Sequence, residues 1–397
     1  MKFIFAILIG YLLGSISPAY FLCKLIKGTD IRKEGDGNAG TRNVYRVLGL
    51  IPAVITGIID LSKGVLAIYL TSFFVPMFFS YLSGVAAVFG HIFPFYLNFK
   101  AGQGGATASG ILIYFLITMI KNSWISWQAI LILLISGIIL IYITKLGPVA
   151  GLVTLPFLII FILFESPLNL TTGFTILLLI FALIQLFRCL SKRWQNWFFI
   201  KEIPIEKKRD LLHWRTLLRP LAILILIFYI LFGKKIILII LGIVSLISIL
   251  LDLSRLSSEK FNLLLLKNLI IKEKEKKVFS SITFFLLACF ISLLIFEKNI
   301  AFLTIIFLIF GDLASKYFGV LFGRKKFFRK TLEGCLGHLA SCLLFGFLLS
   351  YFLPLPILTI LVGSTVASFV ESIPMGIDDN FTVSIISGSI MHLFKLI

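Results

Sequence analysis

Residues 30–46 read DIRKEGDGNAGTRNVYR, a polar stretch set between two strongly apolar runs. The chain around it has 397 residues, is 59% hydrophobic and only 14% charged. Gly35, Gly37 and Gly40 lack Cβ atoms, so backbone N–H groups there can approach an oxyanion closely. Asn38 and Asn43 add amide donors, and Arg32, Arg42 and Arg46 add fixed positive charge. Two readings fit: a phosphate-handling loop at a membrane surface, or a basic loop that only sets topology.

Working outward, apolar runs recur from end to end, many near the ~20 residues that cross a bilayer. The fold class is therefore all-α, a polytopic transmembrane helical protein of about 14 spans in two seven-span domains. The first run, 3–23, is a span and not a cleaved leader, because further spans follow and no small-residue cleavage site is evident. The first-half spans fall at 3–23, within 49–75, within 79–97, and at 106–120, 125–144, 147–164 and 169–187. The second-half spans fall at 218–233, 236–251, 278–296, 299–311, 335–353, 355–373 and 384–396. A basic linker, 191–217, divides a domain at 1–190 from one at 218–397, and Trp194, Trp197 and Trp214 in it suit a headgroup interface.

The net charge of +19 does not point to nucleic acid. Most Lys and Arg residues fall in alternate loops, while the opposite loops hold only Lys121, Lys234, Lys235 and Lys298. This positive-inside pattern places the N-terminus outside and the polar islands on the cytoplasmic side of a bacterial-type inner membrane. The five cysteines and four histidines have no metal-site spacing. Lys272–Lys277, KEKEKK, reads as a solvated loop.

Two more islands interrupt the first half. Asp60 and Lys63, three residues apart, share a helix face and can pair, either as a site at depth or as a structural ion pair. The other runs from Gly90 to Gly110, GHIFPFYLNFKAGQGGATASG. Pro94 breaks the helix that carries His91. Lys100 offers a point charge, and Gly102, Gly104 and Gly105 make a loop that opens into a helix N-terminus, a favourable place for an anion.

With Gly14-Ser15 and Tyr20 ahead of the opening stretch, residues 1–190 resemble the acyl-phosphate:glycerol-3-phosphate acyltransferase family. The matching patterns are GSxxxxY through DIRxxGSGNxGATNxxR, then DxxKG, then GHxxPxFxxFKGGKGVAT. The resemblance implies a seven-span fold that moves a fatty acyl group from acyl phosphate to the 1-hydroxyl of glycerol 3-phosphate. The products are lysophosphatidate and phosphate, without acyl-CoA or metal. His91 and Lys100 are the implied catalytic groups. Arg32, Gly35, Asp36, Gly37, Asn38, Asn43, Arg46, Asp60, Lys63, Gly102, Gln103, Gly104 and Thr107 are the implied substrate-binding set. The chain departs from the pattern at Asp36, where the family has Ser, at Thr41-Arg42-Asn43, and at Ala101 and Gln103, where it has Gly and Lys. These make the phosphate site less positive, with Arg42 restoring part of the charge. The expectation is an active but retuned site.

The second half carries other islands: Lys208–His213, Asp252-Leu253-Ser254-Arg255, Gly311-Asp312-Leu313-Ala314-Ser315, and Gly323-Arg324-Lys325-Lys326. Lys330-Thr331-Leu332-Glu333-Gly334, Glu371-Ser372-Ile373-Pro374 and Asp378-Asp379-Asn380-Phe381-Thr382 follow. Carboxylates are hard ligands for Mg²⁺, and the basic residues can neutralise a triphosphate. These islands resemble CTP-dependent lipid kinases (dolichol, phytol and CTP-using diacylglycerol kinases) in GDxxASxxGxxxGR, KTLEG and ExxPxxxDDNxT. The resemblance implies phosphoryl transfer from CTP to a lipid alcohol. Asp312, Lys330 and Glu333 would be catalytic, Asp312, Asp378 and Asp379 would hold Mg²⁺, and Gly311, Gly323, Arg324, Lys325 and Asn380 would hold CTP. Two other readings remain: a first half kept only as a lipid-phosphate binding module, and a transporter of phosphorylated metabolites.

Overall fold

The computed structural model describes residues 1–144, 147–193, 219–267, 275–376 and 378–395. Residues 194–217, with the three linker tryptophans and Lys208–His213, lie outside the described residues, as do Lys145 and 272–274. The described chain is built of helices, with one two-stranded hairpin. The all-α membrane class holds. Among the described residues, seven helices are long and apolar enough to cross a bilayer and five apolar helices are shorter, so length alone does not reproduce fourteen separate spans. One reason is merging. The expected spans 218–233 and 236–251 form one helical run, Arg219–Ser257, bent at Gly233, which has φ 81°. Likewise the run from Lys298 continues through Asp312 to Leu321.

The chain divides into two compact units, Met1–Leu131 with Glu165–Lys192, and Ile132–Phe164 with Arg193–Ile397. In the first unit, α1 (Lys2–Ser15) packs on α5 (Met77–Ile92) along small residues. A Cβ on Gly10 would lie 2.0 Å from the Ser83 carbonyl oxygen, one on Gly14 2.1 Å from that of Ala87, and one on Gly90 2.2 Å from that of Tyr11. Small residues let helix backbones meet where lipid offers no hydrophobic drive to associate. α2 (Pro18–Lys27) starts with proline and stops at Gly28 in the left-handed conformation, φ 70°. α3 (Thr41–Leu48) is short and amphipathic, and α4 (Leu50–Ser72) follows Gly49. α6 (Gly105–Lys121) and α9 (Leu170–Arg193) complete this unit, while most of α7 (Trp127–Thr144) and α8 (Gly147–Glu165), between them in sequence, belongs to the second.

The second unit holds α10 (Leu224–Ser257), α11 (Glu259–Lys267), α12 (Ser281–Ile295), α13 (Lys298–Ile306) and α14 (Asp312–Leu321). Strands β1 (Lys326–Phe327) and β2 (Lys330–Thr331) form the hairpin ahead of α15 (Leu332–Ser350), α16 (Ile357–Ser372) and α17 (Asp379–Lys395). Phe157 and Phe161 from α8 pack in the core of this unit, Phe157 stacked on Phe345 and tilted against Phe310, and Phe161 edge-on to Phe352. The Asp252–Arg255 island is a buried clasp. Arg255 donates to Asp252 at 2.6 Å and to the carbonyls of Glu275 and Val278, while the other Asp252 oxygen accepts from Ser280 N and Thr283 Oγ1. Every strong group there has a protein partner, so the clasp holds structure together.

Candidate functional sites

The opening stretch stands on its own apolar base. Ile31, Ala39 and Val44 are fully buried with Ala19, Cys23 and Ala53. Above them the backbone reverses at Gly35 (φ 59°) and Gly37 (φ 75°), conformations that glycine adopts freely. Asn43 organises this loop from within. It is buried, donates to the carbonyls of Ile31 (3.2 Å) and Glu34 (2.9 Å), and accepts from Asp36 N at 2.9 Å. A Cβ on Gly35 would sit 2.1 Å from the Asn43 oxygen, which is why this turn takes glycine.

Arg32 joins this loop to the third island. Its guanidinium forks onto Asp30, at 2.6 and 3.0 Å, and also donates to the carbonyls of Leu97 (2.6 Å) and Lys100 (3.0 Å). The side-chain hydrogen bond from Arg32 holds the Asp30 carboxyl below the usual carboxylate range, and the same bond raises Arg32. Ala39 N donates to the Ala101 carbonyl, a second tie between the loops. Arg32, Asn43 and Asp30 therefore shape the pocket rim from inside. Asn38 is half-buried, while Lys100, Arg42 and Arg46 are exposed at the rim. Asp36 accepts from Arg46 at 3.1 Å, so the added carboxylate offsets a rim cation.

Beneath the rim, α4 and α5 bring the second and third islands together. Lys63 Nζ lies 3.0 Å from Asp60 Oδ1, 3.2 Å from the Ile16 carbonyl and 2.6 Å from His91 Nδ1, with Asp60 and Lys63 almost completely buried. The second Asp60 oxygen and Thr107 Oγ1 are buried without a partner among the described residues. Such groups are rare and expensive in a membrane interior. Gly102 packs directly on the histidine ring. A Cβ there would fall 1.9 Å from His91 Nε2. Gly102 N and Ala101 N donate back to the carbonyls of His91 and Ile92, and Gly104 turns at φ 75° into α6. The reversal between them runs through Asn98 and Phe99, both at positive φ. Gln103 is exposed, and its carbonyl accepts from Gln185. Nearby, an apolar groove of about 630 Å³ runs between α4 and α6, lined by Leu61, Val65, Tyr69, Gly110, Ile113 and Tyr114 among others.

A family model of glycerol-3-phosphate acyltransferases matches residues 4–194. A glycerol-3-phosphate acyltransferase of Shouchella clausii is 37% identical over 204 residues, spanning 47% of this chain and 89% of its own. The chain belongs to the glycerol-3-phosphate acyltransferase family. A second such acyltransferase, from Idiomarina loihiensis, is 40% identical over 149 residues, with 37% of this chain and 71% of the relative covered. A solved integral membrane glycerol 3-phosphate acyltransferase, in its glycerol 3-phosphate form, is 27% identical over 49% of this chain and 92% of its own, with a TM-score of 0.37. The acyltransferase segment is thus residues 4–194, and its glycerol-3-phosphate acyltransferase activity is the family's own.

Outside that segment, the second unit gathers a separate charged cluster. A π-turn at Phe307–Gly311 precedes Asp312 and re-aims the helix, a distortion that often marks functional sites. Asp312, Glu371 and Asp379 each place a carboxylate oxygen within 4.8 Å of the others. The hairpin inserts two cations among them. Lys330 Nζ is 2.5 Å from Glu371, 3.8 Å from Asp379 and 4.0 Å from Asp312, and Arg329 donates to Asp379 at 2.8 Å. Burial lowers the Lys330 ammonium, but Glu371, Asp312 and Asp379 outweigh it and hold it above the ordinary lysine value. Arg219 pairs with Asp312 and Asn380 and donates to the Leu308 carbonyl at 3.1 Å. Burial and the neighbouring Asp379 raise the Asp378 carboxyl, and its Oδ1 accepts from Asn380 N and Nδ2.

The structure brings together Asp312, Asp379 and Lys330, adds Glu371 and Arg219, and leaves Asp378 paired with Asn380 outside the carboxylate trio. Glu371 had a sequence signal in the ExxP pattern. Arg219 had none, sitting at the edge of the basic linker. Gly311 and Gly323 are packing positions: a Cβ would meet His338 Nε2 at 2.5 Å and the Gly319 carbonyl at 2.1 Å respectively. Glu333 accepts weakly from Lys325 N, at 3.3 Å, and Arg324 and Lys325 are exposed beside the hairpin. Carboxylate oxygens are hard ligands of the kind that hold a divalent cation, but here Lys330, Arg329 and Arg219 already pair with all three acids.

Proposed function

We propose that the acyltransferase segment uses acyl phosphate as donor and the 1-hydroxyl of glycerol 3-phosphate as acceptor, on the cytoplasmic side of the membrane. The observation that carries this is the convergence of all three islands: the 30–46 loop tied to 97–101 by Arg32, and Lys63 seated on His91 below Gly102. Both substrates carry phosphate, and Arg42, Arg46 and Lys100 stand at the rim to attract them. The backbone N–H groups of Gln103 and Gly104, ahead of the α6 N-terminus, suit the departing phosphate. The apolar groove between α4 and α6 suits the acyl chain. In the step itself, the hydroxyl oxygen bonds to the acyl carbon. The acyl–phosphate C–O bond breaks, phosphate leaves with that electron pair, and the hydroxyl proton passes to a substrate phosphate oxygen.

We further infer that the second unit phosphorylates a lipid alcohol from CTP. The supporting observation is the trio Asp312, Glu371 and Asp379 with Lys330 and Arg219 around it. Those carboxylates would hold Mg²⁺, which would bind and neutralise nucleotide phosphates. Lys330, Arg324 and Lys325 would bind the phosphate charge. The test is purified full-length protein in lipid vesicles, assayed separately for acyl-phosphate-dependent acylation of labelled glycerol 3-phosphate and for label transfer from CTP to diacylglycerol, dolichol or phytol. Asp312→Asn is expected to abolish the second activity and leave the first intact. No label on any lipid alcohol from the unmodified protein refutes the kinase reading. No acylated product refutes the acyl-phosphate reading and favours a phosphate-binding module.

A further inference from the structure

We propose that Lys63, anchored by Asp60, locks His91 as the Nε2–H tautomer, making His91 a hydrogen-bond donor to the substrate anion held at the 102–104 loop. The inference rests on the reading that this loop and His91 form the phosphate site. It goes beyond it by giving Lys63 and Asp60 positioning roles and His91 a defined proton.

The argument is a count of donors and acceptors. A lysine ammonium has three hydrogens and no acceptor. Around Lys63 Nζ the structure places three acceptors: Asp60 Oδ1 at 3.0 Å, the Ile16 carbonyl at 3.2 Å and His91 Nδ1 at 2.6 Å. Each hydrogen has one destination. Asp60 Oδ1 also lies 3.3 Å from His91 Nδ1, but the ammonium stands closer, at 2.6 Å, and a proton on Nδ1 would be set against its hydrogens. Nδ1 therefore accepts, and the ring carries its hydrogen on Nε2. The charge on Lys63 is matched by Asp60, also buried.

Nε2 is the atom that faces the loop. It lies against Gly102, close enough that a Cβ there would be 1.9 Å away, and it has no hydrogen-bond partner among the described residues. Backbone ties from Gly102 N and Ala101 N fix the loop over the ring. A donor set at Nε2 adds to the backbone donors of the loop, and it adds no negative charge to a site that must hold two phosphates. A lysine on the far side of the ring thus determines what the near side offers to substrate. The same logic governs metal- and substrate-facing histidines generally: the bond at one ring nitrogen sets the proton at the other.

The test is ¹⁵N magnetic resonance of the full-length protein in bilayers, with labelled histidine and His91→Asn identifying the ring. The expected spectrum has His91 protonated at Nε2 and bare at Nδ1. Lys63→Met is expected to redistribute that proton toward Nδ1, and to lower kcat about 10²-fold or more with KM for glycerol 3-phosphate changed less than threefold. A wild-type ring protonated at Nδ1 overturns the proposal, and needs no variant that has to fold. So does an unchanged tautomer in folded Lys63→Met. An Nε2–H ring in a protein that acylates no phosphorylated acceptor keeps the tautomer assignment and removes the functional reading instead.

Discussion

Gly102→Ala is the sharpest perturbation of the acyltransferase site. The new methyl would lie 1.9 Å from His91 Nε2, 2.5 Å from Cδ2 and 2.9 Å from Cε1. Ordinary contact begins near 3.4 Å, so the ring and the loop must separate by about 1.5 Å. The ring has little room to retreat, because its other side is held at 2.6 Å by Lys63, itself buried and paired. The loop is held by the Gly102–His91 and Ala101–Ile92 backbone bonds and by the Ala39–Ala101 tie. A displacement of this size at a positioned group costs about 10²-fold in rate. The assay is acylation of glycerol 3-phosphate by purified protein in vesicles, with Gly173→Ala as reference, since a methyl there meets nothing within 4 Å. Gly102→Ala is expected to lose about 10²-fold in kcat/KM while remaining folded and inserted. Activity within threefold of the unmodified protein would refute the reasoning, because the ring and loop would then not need their close approach.

Three further outcomes follow from the same geometry. Asp36→Asn removes the carboxylate that offsets Arg46 at the rim, and is expected to lower KM for glycerol 3-phosphate about twofold to fivefold at low salt, with the gain shrinking as salt rises. Asp30 has its carboxyl depressed by Arg32, so its contribution to stability is present above the ordinary aspartate value and is lost only as pH falls through the lower folded value. The difference in thermal stability between the unmodified protein and Asp30→Asn should therefore stay constant from pH 8 to about 5 and vanish only below about pH 4. Arg255→Met leaves Asp252 buried without its cation, and should destabilise the second unit by about 3–5 kcal/mol in a denaturation series. A change below about 1 kcal/mol would show the clasp to be dispensable.

The helical membrane fold was legible because apolar runs with basic loops leave few alternatives. The acyltransferase islands were legible because glycines and charges have little other reason to interrupt such runs. Which way each group turns was not. Arg32 and Asn43 look alike in sequence as donors for an anion, yet both turn inward, because carbonyls left free by the glycine turns need partners. The contact between Gly102 and His91 joins residues on either side of a loop reversal through Asn98 and Phe99, two residues that sequence gives no reason to place at positive φ. In the second unit the acids were visible, but the choice of Glu371 over Asp378 depends on where α16 ends and how Asn380 turns.

The glycine seam between α1 and α5 also constrains how the protein is made. Gly10 and Gly14 leave the ribosome about 70 residues before their partners Ser83 and Ala87, which takes about 4–15 s at ordinary elongation rates. During that interval α1 has neither its mate nor the carbonyls of Leu97 and Lys100 that receive Arg32. The acyltransferase loop therefore cannot be finished in the order in which it is synthesised. It closes only after a later helix has been threaded into the bilayer and slotted against the first, so biogenesis of this site is a step of helix capture and not of local folding.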